Sequence, residues 1–256
     1  MNRINRLFSN RKKNILSVYF TAGFPSLDTT TMIINELSEA GVDMIEIGIP
    51  FSDPVADGPV IQRSSEKALQ NGMSLETLFR QLQDIRQKTD IPLLLMGYFN
   101  PVLKYGVERF AEDCSRTGID GTIIPDLPVE EYKGYYEKIF ERNDLLNIFL
   151  LTPQSTDERI RYLDEISKGF LYVVSSSATT GTRKNFSQSS IEYFRRLDGM
   201  SLKTPRLTGF GISDRSTFNQ ACMYSSGAII GSAFIKALEE TGSLRDNINR
   251  FAGEFL

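Results

Sequence analysis

Met44-Ile45-Glu46-Ile47-Gly48-Ile49-Pro50 runs straight into Phe51-Ser52-Asp53-Pro54-Val55-Ala56-Asp57-Gly58-Pro59, and an amphipathic stretch, 59–70, follows. The hydrophobicity of the first segment is nearly continuous rather than alternating, the pattern of a strand buried on both faces. Prolines at 50, 54 and 59 break the connection that follows, and Pro59 suits the first turn of a helix. Strand, loop and helix in this order make one βα unit.

The unit recurs in both directions along the chain. Strands are predicted near 17–21, 44–47, 93–96, 121–124, 147–150, 171–174, 206–208 and 228–230. Amphipathic stretches separate them at 29–40, 59–70, 74–88, 107–117, 129–142, 156–168 and 214–224, the first with Met32, Ile33, Leu37 and Ala40 on one stripe. Ser74 with Thr77, and Ser155 and Thr156 ahead of Asp157 and Glu158, supply capping chemistry. No Pro/Gly-rich linker or low-complexity tract interrupts the series. The chain has 256 residues, close to the ~250 that an eightfold barrel uses. The expectation is an α/β protein, a (β/α)8 TIM barrel forming a single domain over 1–256 with a short N-terminal helical extension. The competing doubly wound sheet would bring an early Gly-rich phosphate fingerprint, which the sequence lacks.

Composition narrows the chemistry. With 29 Lys and Arg against 32 Asp and Glu, the net charge is -3, which argues against nucleic acid as a partner. Arg11-Lys12-Lys13 reads as a solvated N-terminal face. Cys114 and Cys222 are too few and too far apart for a disulfide framework or zinc site and suit a reducing cytosol. No signal-peptide core or spanning run is seen, so the expectation is a cytoplasmic protein without membrane contact. There are 0 histidines. Acid–base work must fall to Asp, Glu, Lys, Tyr or Cys, His-ligated metals and Ser-His triads are excluded, and no metal is expected.

In a barrel of this kind the chemistry sits at the C-terminal ends of strands and on the loops after them. Glu46 is an acid in an otherwise apolar strand, facing either the barrel interior or the helices, and costly in both places unless paired or needed. A structural Glu bonded to backbone or Tyr is the bland alternative. Asp57 shares that strand end in a loop stiffened by proline, although Asp57-Gly58 is also an ordinary turn pair. Glycine-containing segments follow the last three strands: Ala178-Thr179-Thr180-Gly181-Thr182-Arg183, Gly209-Phe210-Gly211-Ile212 and Gly231-Ser232-Ala233. Together they fit a phosphate site in which backbone N–H groups approach an anion at a short helix N-terminus. Residues 175–183 read as a surface loop or a cover over the barrel mouth. The Tyr132–Tyr136 aromatics read as packing, Phe99-Asn100-Pro101 as turn chemistry, and Asp126 as structural or site-lining.

These residues resemble one family over nearly the whole chain, the alpha subunit of tryptophan synthase. The resemblance rests on Tyr19-Phe20-Thr21-Ala22-Gly23-Phe24-Pro25, the long segment from Glu46 to Pro59, Met96-Gly97-Tyr98-Phe99-Asn100-Pro101, Pro125-Asp126-Leu127-Pro128-Val129-Glu130-Glu131, Thr180-Gly181-Thr182-Arg183 and Gly209-Phe210-Gly211-Ile212. It implies a lyase that cleaves indole-3-glycerol phosphate to indole and glyceraldehyde 3-phosphate without a cofactor of its own. Glu46 would be the acid–base group at indole C3, and Asp57 would interact with the indole N–H. Tyr19, Met96, Tyr98, Tyr172 and Phe210 would line the indole pocket. Thr180 would help order Asp57. Gly181, Gly211, Gly231 and Ser232 would surround the phosphate. The implied partner is a pyridoxal-phosphate beta subunit in an α2β2 complex, near residues 50–59 and 100–105. A regulatory subunit with faint activity, or another phosphate-binding barrel enzyme, would share much of this pattern. A Schiff-base or isomerase barrel would be expected to carry a strand-end lysine, and no predicted strand end has one.

Overall fold

The computed structural model describes residues 1–175 and 186–256. Eight strands, β1 (Ile15–Thr21), β2 (Met44–Gly48), β3 (Leu93–Met96), β4 (Gly121–Ile123), β5 (Leu146–Leu151), β6 (Leu171–Val174), β7 (Arg206–Gly209) and β8 (Gly227–Ile230), pair in sequence order into a closed barrel. All neighbours are parallel, and β1 closes on β8 with Ile15 opposite Gly227. A Cβ on Gly227 would stand 2.0 Å from the Ile15 carbonyl oxygen, so the seam closes only because that residue is glycine.

The two-residue period of a strand sorts the barrel into two cores. Ile45, Ile47, Leu93, Leu95, Phe149 and Leu151 face outward against the helices. Met44, Leu94, Ile123, Ile148, Leu207 and Ile229 fill the interior. Glu46 is two residues from Met44 and therefore points inward, which resolves the alternative left open by the sequence.

The N-terminal extension is a stopper. Asn2 caps the helix Arg3–Asn10, accepting from Ile4 N at 3.0 Å, and Ile4 and Phe8 enter the interior cluster from below. Asn2 Nδ2 also donates to the carbonyls of Asp120 and Asp144, both at 2.9 Å. Asp120, almost fully buried, receives Arg3 Nη1 at 3.1 Å, Arg86 Nη2 at 2.6 Å and Leu93 N at 2.9 Å. One carboxylate thus ties the plug, the connection before β3 and the start of β3 together.

Several details differ from the sequence expectation. The stretch 74–88 is a helix, Leu75–Gln81, capped by Ser74, followed by a separate 3-10 turn, Ile85–Gln87, that buries Ile85. The stretch 129–142 contains a π turn, Tyr132–Tyr136, which turns Tyr132 into the core while Tyr135 remains exposed. Phe99–Tyr105 is a helix rather than a turn. Pro101 is tolerated in its first turn, where the missing N–H has no intrahelical partner. Asp126 Oδ1 accepts Phe99 N at 2.8 Å, which gives Asp126 a structural task. Helices Gln188–Gly199 and Leu244–Gly253 were not anticipated. The basic cluster is not merely solvated. Arg11 pairs with Asp43, Lys12 Nζ donates to Phe8 O at 2.6 Å, and Lys13 Nζ donates to Cys222 O and Ser225 O at 3.2 Å. Lys12 and Lys13 line a cleft of about 610 Å3 at the N-terminal end of the barrel, and there they cap the ends of neighbouring helices. Among the described residues no helix is long and apolar enough to cross a membrane.

Asp120→Ala should remove the buried partner shared by Arg3, Arg86 and the Leu93 N–H, leaving Arg3 with Asp90 and Arg86 with the Gly118 and Ile91 carbonyls. Breaking a buried ionic cluster by removing one partner costs about 3 kcal/mol or more, and the thermal midpoint should fall by roughly 6–12 °C on that basis. Differential scanning calorimetry reads this directly, and an unchanged midpoint would remove the cluster from the account of the fold.

Candidate active site

Glu46 lies in the middle of β2, paired with Tyr19 of β1 and Leu94 of β3, and is 0% exposed. Ser17 Oγ donates to its Oε1 at 3.1 Å. Its Oε2 has no hydrogen-bond partner among the described residues. A carboxylate deprived of water is destabilised relative to the neutral acid. Burial pushes the Glu46 carboxyl up to about 8, and the Ser17 bond opposes that shift.

The loop after β2 brings in a second carboxylate. Asp57 N donates to Pro54 O at 3.0 Å, and Gln62, one turn into the helix Pro59–Gln70, donates Nε2 to Asp57 O at 3.0 Å. Tyr98 spans the gap from the end of β3. Its Oη accepts Ala56 N at 3.0 Å and donates to Asp57 Oδ2 at 3.3 Å, while its ring packs 5.1 Å from Phe51. Burial raises the Asp57 carboxyl to about 6, with Tyr98 holding it down. Burial and then the charge of Asp57 push the Tyr98 phenol up to about 12.

Two inward tyrosines occupy the space beside both acids. A Cβ on Gly48 would stand 2.2 Å from the Tyr19 hydroxyl, and one on Gly209 would stand 2.2 Å from that of Tyr172. Each glycine therefore clears room for a phenol. For Gly209 this is a task other than the anion contact that its segment suggested. The charges of Glu46 and Asp57 both act on Tyr19 and on Tyr172, raising each phenol beyond the effect of burial. Met96 and Phe210 pack on the same interior cluster, and the Phe210 ring meets Tyr172 edge-on at 6.2 Å.

The late loops stand on the same side of the barrel. Phe210 and Gly211 both have positive φ, +67° and +74°. Ser175 Oγ holds the strained Phe210 carbonyl at 2.6 Å. Gly231 is the N-cap of the short helix Ser232–Leu238, and a Cβ there would approach the Tyr19 ring at 3.3 Å. Gly211 and Ser232 are exposed. Thr180 and Gly181, with the rest of their segment, lie outside the described residues. Glu46, Asp57, Tyr19, Met96, Tyr98, Tyr172 and Phe210 are thus gathered at the C-terminal mouth, with Gly211, Gly231 and Ser232 at strand ends β7 and β8. Among the described residues no group of three His, Cys, Asp or Glu side chains could hold a metal ion.

Sequence reasoning missed Ser17 and Gln62. Ser17 had a signal: a small polar residue inside an apolar strand, two positions before Tyr19 and therefore on the same face. Gln62 had none, because a glutamine on a helix is ordinarily solvated.

Residues 6–253 match the family described as tryptophan synthase alpha chain. The tryptophan synthase alpha chains of Flavobacterium psychrophilum and Flavobacterium johnsoniae are 55% and 56% identical over 254 residues, covering 99% of this chain and of each relative. Solved structures agree. Tryptophan synthase subunit alpha from Legionella pneumophila superposes with a TM-score of 0.88 at 33% identity, over 100% of this chain and 97% of that one. A chain of Mycobacterium tuberculosis tryptophan synthase gives 0.89 at 33% identity, over 99% and 96%. With a matching barrel and matches over nearly its whole length, the chain belongs to the tryptophan synthase alpha chain family.

Proposed function

We propose that this chain cleaves indole-3-glycerol phosphate to indole and glyceraldehyde 3-phosphate, with Glu46 as the acid–base group and Asp57 as the electrostatic partner of the indole N–H. The observation that carries this reading is a carboxyl sealed in the barrel wall with one oxygen unpartnered and its protonated form favoured near neutral pH. Protonated Glu46 gives its proton to indole C3, producing an indolenine cation. Asp57, which titrates lower, stays ionised and stabilises the positive charge spreading to the ring nitrogen. Glu46, now a carboxylate, takes the proton of the side-chain hydroxyl next to C3. The C–C bond breaks, its electrons return to the ring, and the aldehyde forms. Glu46 ends protonated, as it began. Tyr19, Met96, Tyr98, Tyr172 and Phe210 supply the apolar walls for a bicyclic ring. Thr180 would act on Asp57, and Gly181, Gly211, Gly231 and Ser232 would hold the phosphate through main-chain N–H groups and a hydroxyl.

None of these steps draws on a cofactor. Pyridoxal phosphate is placed on the beta subunit of an α2β2 assembly, and the cytoplasm is the proposed compartment. Val55, 88% exposed in the Pro50–Pro59 loop, and Leu103, 54% exposed on Phe99–Tyr105, offer apolar surface for that partner.

Glu46→Gln should lower kcat by at least ~10²-fold, the scale of general acid–base catalysis, while affinity for glycerol 3-phosphate stays near wild type. Steady-state indole release decides it, and near-normal turnover ends the assignment. In wild type, kcat/KM should fall as pH drops below about 6, where Asp57 gains a proton, and as pH rises above about 8, where Glu46 loses one. A flat profile from pH 5 to about 9 contradicts both roles. Leu103→Asp should weaken beta-subunit binding by about tenfold or more without changing indole release by the isolated chain. Titration calorimetry against the beta subunit tests it, with unchanged affinity as the contrary result.

A further inference from the structure

We propose that Ser17 is a positioning residue for Glu46: by holding Oε1 it makes Oε2 the oxygen that exchanges the proton with the substrate. This rests on the acid–base role assigned to Glu46 above. Both side chains face the barrel interior, Ser17 from β1 and Glu46 from β2, and both are 0% exposed. Their strand neighbours are apolar: Met44 and Ile229 stand opposite Ser17 and Leu94 opposite Glu46, in one packed cluster with Ile15. Alanine or valine at position 17 would suit such surroundings, so the hydroxyl adds only its bond to Oε1, 3.1 Å away.

That single bond breaks the symmetry of the carboxyl group. With neither oxygen anchored, the group would turn about its last torsion, a broad and roughly two-fold rotor, and either oxygen could meet C3. With Oε1 accepting from Ser17, the acid proton resides on Oε2, which has no other partner among the described residues. Oε2 gives that proton to carbon and recovers one from the hydroxyl, while Oε1 keeps its bond throughout. The other titratable groups acting on this space are Tyr19 from β1, Tyr98 from the end of β3, Tyr172 from β6 and Asp57 from the loop after β2. All three phenols are raised and stay neutral through the working range, which leaves Asp57 and Glu46 as the groups that titrate there.

Ser17→Ala and Ser17→Thr separate positioning from packing. Ser17→Ala should lower kcat about tenfold, the scale of one lost bond to an ionised group, with KM within about twofold. Its alkaline limb should move up by about half a pH unit or more, because a bond that favours the carboxylate is gone. Ser17→Thr keeps the hydroxyl and should restore the limb even if the extra methyl lowers stability. In a Glu46→Gln background, Ser17→Ala should bring no further loss. Wild-type kcat with an unmoved limb in Ser17→Ala would overturn the inference, as would a rate loss with an unmoved limb. An inactive Glu46→Gln beside a normal Ser17→Ala sinks this inference alone, whereas an active Glu46→Gln sinks the parent assignment.

Discussion

Glu46 is a fully buried carboxyl group, held by one hydrogen bond inside a ring of parallel strands. Such a group is tolerated only in a framework that cannot relax around it, and the barrel is built accordingly. Interior and exterior cores grip each strand from both faces, so β2 cannot turn its acid toward solvent without dragging Ile45 and Ile47 out of the helix layer. The desolvation that costs stability at this position is also what raises the acid into the neutral range.

The two ends of the barrel divide the remaining tasks. At the N-terminal end, Ile4 and Phe8 plug the interior, and Asp120 joins Arg3, Arg86 and the Leu93 amide. Lys12 and Lys13 there are committed to helix-end carbonyls. At the C-terminal end Glu46 faces the barrel interior and Asp57 stands on the loop above β2. Glycines 48 and 209 make room for two phenols rather than for turns, and Tyr98 bridges the Asp57 loop to β3. Packing and ion pairing fix the closed end, which leaves the open end free to hold raised carboxyls and a strained Phe210.

Much of this was legible in the residues because it follows from period. Near-continuous apolar runs separated by amphipathic stretches specify parallel strands under helices, and all eight strands lie within two residues of their expected limits. Position then singled out Glu46 and Asp57. What the pattern left undetermined was three-dimensional. Whether Glu46 points inward depends on the register of β2 within the closed barrel. The role of Ser17 depends on two strands meeting, and the clearance at Gly48 depends on where the Tyr19 hydroxyl falls. The helix at Phe99–Tyr105 was obscured because Pro101 reads as a breaker, while its start is secured by Asp126 across the next strand. Helix Gln188–Gly199 and helix Leu244–Gly253 had usable caps in Ser187 and Ser243, and their mixed composition hid them.

The unequal surroundings of the two acids allow one pocket to hold both charge states. Asp57 is only partly covered and accepts from Tyr98, whereas Glu46 is sealed and has Ser17 alone. Between about 6 and 8 the pocket therefore holds one anion and one acid. Thermodynamic linkage sets the cost and its sign. Both folded-state values lie above the ordinary ones of 3.8 and 4.5, so the folded protein binds protons that the unfolded chain has released. Stability from these groups is present at low pH and declines as pH rises, from about 3.8 to 6 for Asp57 and from about 4.5 to 8 for Glu46. At neutral pH the fold thus carries an ionised Asp57 against its preference, and the rigid, ion-paired closed end of the barrel offsets that penalty.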